Sequence, residues 1–330
     1  MKIFIDASNI IPESGGWVHL KNLLLHVPPK KTKVCVASSS KIIKSLSINN
    51  KNITFYSNSF LNGNLFMRIF WKIFLMNRYI VKNNFSVIFI LNGYFLLKPA
   101  KVPVAILIQN FLPFSNHGLR LASFIEKIKN KILYFLHEYS IKNSELSIFP
   151  SKFLSQAAKS RSKKTSIIYH GVEKIFYKKR KKFKIPRKNN PFKIIYLSKY
   201  ENYKNHINLV KACNIIKQKG FHIQLNLIGI NRDELKNSNL IRVIDSFNQE
   251  HGKFILLKKI QKYKDIKNIY SNFDLHVYPS VCESFGIIVL ETIASSLPII
   301  CSNFKVFKEI LKKNKQYFDP FNPEDISKKI

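Results

Sequence analysis

The stretch Tyr278–Ile300, YPSVCESFGIIVLETIASSLPII, reads as the end of a strand, a polar loop, a helix and the start of another strand. The strand runs to Tyr278 and Pro279, the loop carries Ser280 and Glu283, and Ser284, Phe285 and Gly286 open a helix that bears Glu291. A helix start offers unpaired amide N–H groups and a positive dipole end, a ready place for phosphate. Gly286 would let the backbone approach a ligand closely. Glu283, just ahead of that helix start, can accept hydrogen bonds from sugar hydroxyls, and Glu291 can take two ribose hydroxyls at once. Taken singly, Glu283 reads equally as a helix-start carboxylate favoured by the dipole, and Glu291 as a polar position on an amphipathic helix.

The same strand–helix alternation extends through the chain in both directions. Toward the N-terminus, β-branched runs recur at Lys2–Asp6, Lys33–Ala37, Ile53–Tyr56, Ser86–Leu91, Val102–Ile108, Glu145–Phe149 and Thr165–Tyr169. Amphipathic segments lie between them at Val18–His26, Asn64–Lys82 and Leu121–Lys142. Nearer the quoted stretch, strands are predicted at Phe192–Leu197, His222–Gly229, Lys253–Leu257, Asp274–Pro279 and Pro298–Cys301, with helices at Ile207–Lys217, Ile266–Ser271 and Phe285–Ser295. Nearly all the strands are apolar throughout, as parallel strands covered on both faces should be. The expectation is therefore an α/β protein of two Rossmann-like domains with a cleft between them. The first domain spans 1–177, a basic, proline-containing linker 178–191, and the second domain 192–330. A chain of 330 residues suits two domains.

Charge is the abnormal quantity: 55 Lys and Arg against 19 Asp and Glu, formally +36. Such a field attracts polyanions, including nucleic acid, anionic lipid and phosphorylated metabolites. Only eight of the 55 are Arg, the residue suited to bidentate reading of bases, so sequence-specific nucleic-acid binding is not expected. Codon drift toward Lys in an AT-rich genome and a membrane-facing surface are the two readings of the excess. Cys35, Cys213, Cys282 and Cys301 are far apart and form no metal-binding spacing, which points to free thiols in a reducing compartment. The opening MKIFIDASNI has no apolar h-region, and the apolar runs near Ser86–Leu97 and Val102–Phe114 are interrupted by Asn92, Gly93, Gln109 and Asn110. A cytoplasmic protein is expected, with a peripheral place on the inner face of the cytoplasmic membrane as one form of it. The segment Asn64–Lys82 has two readings. It packs Leu65, Phe66, Phe70, Trp71 and Phe74 among Arg68, Lys72, Arg78 and Lys82, as an interfacial anchor or as a core helix with snorkelling cations.

The quoted stretch resembles the family 4 retaining glycosyltransferases of the GT-B fold. Their signature pairs two Glu separated by seven residues. Pro279, Ser280, Glu283, Ser284, Phe285, Gly286, Glu291, Ala294 and Pro298 stand where that pattern has them, with Ser296 at a place usually held by Gly. Ser14-Gly15-Gly16 is similar to the family's N-terminal glycine loop. Phe149-Pro150-Ser151 and Tyr169-His170-Gly171-Val172 resemble landmarks near the end of its first domain. Tyr196-Leu197-Ser198-Lys199 with Lys204-Asn205 resembles the segment carrying a basic pair, Lys199 standing where Arg is usual. The place where many relatives carry a His holds Gln109, followed by Asn110. The family normally continues past Asp319-Pro320 and Pro323-Glu324-Asp325 with further helices, so truncation of the second domain is expected from the stop at Ile330.

The resemblance implies a retaining hexosyltransferase that takes a nucleotide-diphosphate sugar to a glycan or lipid-linked acceptor in surface polysaccharide or lipopolysaccharide biosynthesis. Glu283 would be the catalytic contact to the donor sugar. Lys199 and Lys204 would hold the diphosphate, Glu291 the ribose, and Gly15 and Gly16 the donor phosphates. Phe285, Gly286 and Ile287 would present backbone amides, with Gln109 and Asn110 on the acceptor side. No cofactor and no metal are implied, and the sequence has no Asp-x-Asp pair. The contrasting expectation is a non-catalytic nucleotide-sugar-binding or scaffold protein of the same fold.

Overall fold

A computed structural model describes residues 1–28, 32–99, 102–158, 162–177, 190–259, 266, 268–312 and 316–330. Residues 178–189 of the expected linker lie outside them. The chain forms two compact units, Met1–Phe114 with Phe124–Tyr169, and Ser115–Ser123 with His170–Ile330.

The first unit holds strands β1 (Lys2–Asp6), β2 (Lys33–Ala37), β3 (Ile53–Tyr56), β4 (Val87–Ile90), β5 (Val104–Leu107), β6 (Leu146–Phe149) and β7 (Thr165–Ile167). They pair in parallel in the order β3-β2-β1-β4-β5-β6-β7. Its helices are α1 (Gly15–Leu25), α2 (Ser40–Leu46), α3 (Ser59–Asn62), α4 (Leu65–Phe70) and α5 (Met76–Lys82); after α6 (Asn116–Leu121), which belongs to the second unit, come α7 (Phe124–Asn143) and α8 (Lys152–Ala157). The second unit holds β8 (Phe192–Leu197), β9 (Ile223–Ile228), β10 (Ile255–Lys258), β11 (Leu275–Tyr278), β12 (Ile299–Ser302) and β13 (Tyr317–Phe318), parallel in the order β10-β9-β8-β11-β12-β13. Its other helices are α9 (His206–Gln218), α10 (Asn239–His251), α11 (Ile287–Ala294), α12 (Lys305–Leu311) and α13 (Pro323–Lys329).

Apolar strand sequences give buried strands. Every residue of β11 and β12 is buried, and Ile195, Leu197, Ile228 and Tyr270 meet in one cluster of the second core. Each sheet reverses its winding once, between β1 and β4 in the first and between β8 and β11 in the second. Loops diverge at such a switch point and leave space at the carboxyl ends of the strands.

Two predicted segments differ from their expected form. Asn64–Lys82 is α4 and α5 joined by a π turn at Trp71–Leu75, whose extra residue per turn rotates α5 about the helix axis relative to α4. The buried Lys72 reaches from that turn to the buried Asp6 at 3.1 Å. Burial pushes the Asp6 carboxyl up, but the Lys72 charge and the Ser8 hydrogen bonds outweigh it, so the group ends below its ordinary value. The short helix expected at Ile266–Ser271 is, among the described residues, a 3-10 turn at Tyr270–Asn272.

Candidate active site

The second unit gathers its polar groups at the carboxyl ends of β8 and β11. After β8 the chain makes a 3-10 turn, Asn202–Lys204, and then places Asn205 at φ +60°. The Asn205 amide donates to the Pro320 carbonyl at 2.5 Å, where Asn208 also donates at 3.0 Å. The buried Tyr196 hydroxyl donates to the Lys204 carbonyl at 2.7 Å, and Val281 N–H donates to the Tyr203 carbonyl at 3.0 Å. The loops after β8 and β11 are thus tied together by backbone and side-chain hydrogen bonds.

That stitching brings Lys204 and Glu283 into contact. Lys204 Nζ lies 2.5 Å from Glu283 Oε1, and the Tyr278 hydroxyl donates to the same oxygen at 2.9 Å. Both charged side chains are mostly withdrawn from water, at 16% and 14% exposed. Burial, then the Glu283 charge, pushes the Tyr278 phenol well above its ordinary value, so its proton stays available to donate. A carboxylate held by one ammonium and one phenol is fixed in position before any substrate arrives.

The helix start beside this pair has no side-chain cap. Gly286 is the N-cap of α11 at φ +111°, and a Cβ there would sit 3.1 Å from the Phe307 ring. Phe285 is buried, and the His170 ring stands edge-on to it at 5.3 Å. Ile287 opens the helix. Gly229, at φ +98°, follows β9; a Cβ on it would lie 2.7 Å from the Ser198 carbonyl, so the loops after β8 and β9 pass in close contact. Lys199 is exposed on the loop after β8.

Glu291 is 3% exposed, on the inward side of α11, where it accepts a hydrogen bond from Tyr270 at 3.2 Å. Next to it, Thr292 pairs with the buried His276 at 2.6 Å, and His276 Nε2 accepts from Leu197 N–H at 3.5 Å. Burial lowers the His276 pKa to about 3, so the ring is neutral and carries its proton on Nδ1. Sequence reading did not single out Tyr278, Tyr270, His276 or Gly229 for this site. Tyr278 and His276 sit in an apolar run where a hydroxyl or imidazole reads as core, Tyr270 sits in a mixed stretch predicted as a short helix, and Gly229 reads as a strand end.

The remaining predicted residues lie in the first unit. Gly15 and Gly16 form the first turn of α1, capped by Ser14 Oγ at 3.3 Å from Trp17 N. A Cβ on Gly16 would come within 3.9 Å of Gln109 Oε1, which places those two predicted residues near each other. Gln109 Nε2 is buried with no hydrogen-bond partner among the described residues. Asn110 is exposed, and its side chain accepts from Leu112 N–H at 3.1 Å, which is a turn-forming role. Among the described residues, no three His, Cys, Asp or Glu side chains are grouped to hold a metal, and no helix is long and apolar enough to cross a membrane.

Residues 177–330 match the family model described as Glycosyl transferases group 1. The match takes in just under half of the chain, which is similar to the group 1 glycosyltransferases over those residues. The matched segment contains both Glu283 and Glu291, and Lys199 and Lys204 with them. Over 203 residues the chain is 28% identical to the O-antigen chain mannosyltransferase RfbU of Salmonella typhimurium, covering 60% of this chain and 52% of that one. Over 210 residues it is 25% identical to protein CapJ of Staphylococcus aureus, covering 62% and 50%. The chain spans about half the length of the curated relatives it matches. Anabaena HepE, solved in complex with UDP and glucose, superposes with a TM-score of 0.69 at 14% identity, covering 99% of this chain and 88% of that one. A glycosyltransferase from Rickettsia africae superposes at 0.67 and 18%, covering 99% and 86%. The fold shared with these structures is GT-B.

Proposed function

We propose that the chain is a retaining, metal-independent glycosyltransferase. It moves a hexosyl group from a nucleotide-diphosphate sugar to a glycan or lipid-linked acceptor in surface polysaccharide assembly, at the inner face of the cytoplasmic membrane. The observation that carries this reading is the Lys204–Glu283–Tyr278 cluster beside the uncapped start of α11. The O-antigen chain mannosyltransferase relative supports the acceptor class, and the UDP complex of HepE supports the donor class.

The chemistry follows from charge. Breaking the bond between sugar and diphosphate builds negative charge on the leaving phosphate, and ammonium groups with amide N–H donors are what stabilise it. Lys204 and Lys199 take that role, with the Phe285, Gly286 and Ile287 amides at the helix start. In the donor-free state Lys204 is held by Glu283. A diphosphate competes for the same ammonium, and the carboxylate it releases then accepts hydrogen bonds from the sugar hydroxyls. Glu291 binds the ribose diol, with Tyr270 fixing its orientation. Gly15 and Gly16 are proposed as further donor-phosphate contacts, and Gln109 and Asn110 as acceptor contacts, by resemblance to the family alone.

Glu283→Ala is expected to lower transfer from UDP-glucose by on the order of a hundredfold or more, with the melting curve kept cooperative. A variant that transfers sugar at the wild-type rate overturns the assignment. Binding of UDP-glucose without transfer by the wild type would instead favour a sugar-nucleotide-binding protein of the same fold.

A further inference from the structure

Helix α7 is amphipathic in the inverted sense. Its buried side carries Asn130, His137 and Ser140 along with Ile141. The polar groups there are satisfied: Asn130 Nδ2 donates to the Glu126 carbonyl at 2.7 Å, His137 Nδ1 pairs with the Gly93 carbonyl at 3.1 Å, and Ser140 Oγ donates to the Leu136 carbonyl at 2.7 Å. Its outer side carries Ile125, Ile128, Ile132, Phe135 and Tyr139 at alternating three- and four-residue spacing, all exposed, Ile125 at 79% and Phe135 at 59%. On a helix that spacing makes a continuous stripe. Lys127, Lys131 and Lys142 run along one flank of it and Lys129 along the other, all exposed, against the acids Glu126 and Glu138.

A second apolar surface lies on the same side of the first sheet. The β3-to-β4 and β5-to-β6 connections cross the sheet in the same direction, so right-handed crossovers put α4, α5 and α7 on one face. The Tyr94 ring joins them, 5.1 Å from Lys72 Nζ and 5.6 Å from the His137 ring. Phe66 is 79% exposed, and the rings of Phe70 and Phe74, also exposed, meet at 4.8 Å, tilted by 42°. Arg78 and Lys82 are exposed along α5.

We infer that this helix layer docks the chain on an anionic bilayer, with the α7 stripe and the α4 aromatics entering the headgroup boundary. Aromatic and aliphatic bulk bordered by lysines is the composition of an interfacial helix, and a monomer rarely leaves so continuous an apolar surface in water without use. Charge selects the occupant. A second copy of a +36 chain would bring the same lysines against these, whereas acidic headgroups complement them. The inference deepens the lipid-linked acceptor reading, since such an acceptor lies at the surface gripped, but its test requires no sugar transfer.

The test is co-sedimentation of the full chain with phosphatidylcholine vesicles and with vesicles of equimolar phosphatidylcholine and phosphatidylglycerol. Pelleting is expected with the mixed vesicles only, weakening at high salt. Ile128→Asp with Ile132→Asp should abolish it, and Lys127→Ser with Lys131→Ser should weaken it about thirtyfold, roughly fivefold for each lysine. Circular dichroism checks that the variants fold. Glu283→Ala should pellet as the wild type does while losing transfer, which separates this inference from the catalytic one. Equal binding to both vesicle types, no binding by the wild type, or a solution dimer that the double Asp variant dissolves would each overturn it.

Discussion

Ser296 follows α11 at φ +56°, a left-handed conformation that a side chain with a Cβ disfavours. The family pattern that this stretch resembles has Gly there, and the dihedral angle gives a physical reason: the chain must turn sharply out of α11 to reach Leu297 and enter β12. Ser296→Gly is therefore expected to raise stability by about 1 kcal/mol, read as a higher melting midpoint. A lowered midpoint would mean that the serine hydroxyl contributes more than the backbone strain costs. At this scale the sequence was legible where a residue type has few structural uses, as with Gly286 at a helix start. It was illegible where contact depends on folding. Lys204 and Glu283 are 79 residues apart, and nothing in either neighbourhood states that they touch. Tyr278 carries a hydroxyl that matters, yet its apolar run speaks only of burial, and Tyr270 lies in a mixed stretch, IKNIYSNF, that marks no site.

The helical segment from Leu65 to Lys82 shows why an element can be recognised and its faces still misjudged. Its apolar residues cover too wide an arc for one buried stripe because two surfaces are being built. Trp71, Met76 and Ile80 point into the core, while Leu65, Phe66, Phe70 and Phe74 remain exposed. The π turn lets both patterns coexist and carries Lys72 inward to Asp6. Neither an extra residue in one turn nor a buried ion pair has a periodic signature in sequence. Lys72→Met is expected to destabilise the first unit by about 3–5 kcal/mol, since Asp6 would then be a buried charge without its partner. Asp6→Asn together with Lys72→Met should recover most of that loss in chemical denaturation. A single variant that denatures like the wild type would show that the pair contributes nothing.

For the molecule as a whole, the alternation of apolar runs with amphipathic segments was enough to read two parallel α/β sheets, because strand burial on both faces is written directly into composition. The strand orders were not written there, and they decide where the switch points fall. The folded chain also buries three imidazoles in neutral form. Burial takes His137 to about 4 and His276 to about 3; His206 falls to about 3 from burial first and then the Lys204 charge. In the unfolded chain these groups titrate near 6.5. Their folded values are lower, so stability is complete above about pH 6.5 and falls with pH toward 4 and then 3, as the unfolded state takes up protons the folded state refuses. Each histidine costs about 1.4 kcal/mol per pH unit over that range. Melting midpoints should decline steeply from about pH 6.5 downward, and a midpoint unchanged to about pH 5 would contradict the buried neutral rings.

The second unit is discontinuous in sequence, for it owns Ser115–Ser123 as well as everything from His170 onward. That early segment is fastened within it by the Leu121 carbonyl, which accepts from Asn202 at 2.9 Å, and by His117, whose ring lies 6.4 Å from Phe321. The backbone therefore passes between the units three times, at Phe114, Ser123 and Tyr169. No single scission can release either one intact. A recombinant fragment begun at His170 would be missing a helix of its own body, so dissection of this protein calls for a circular permutation or a grafted segment in place of a simple cut.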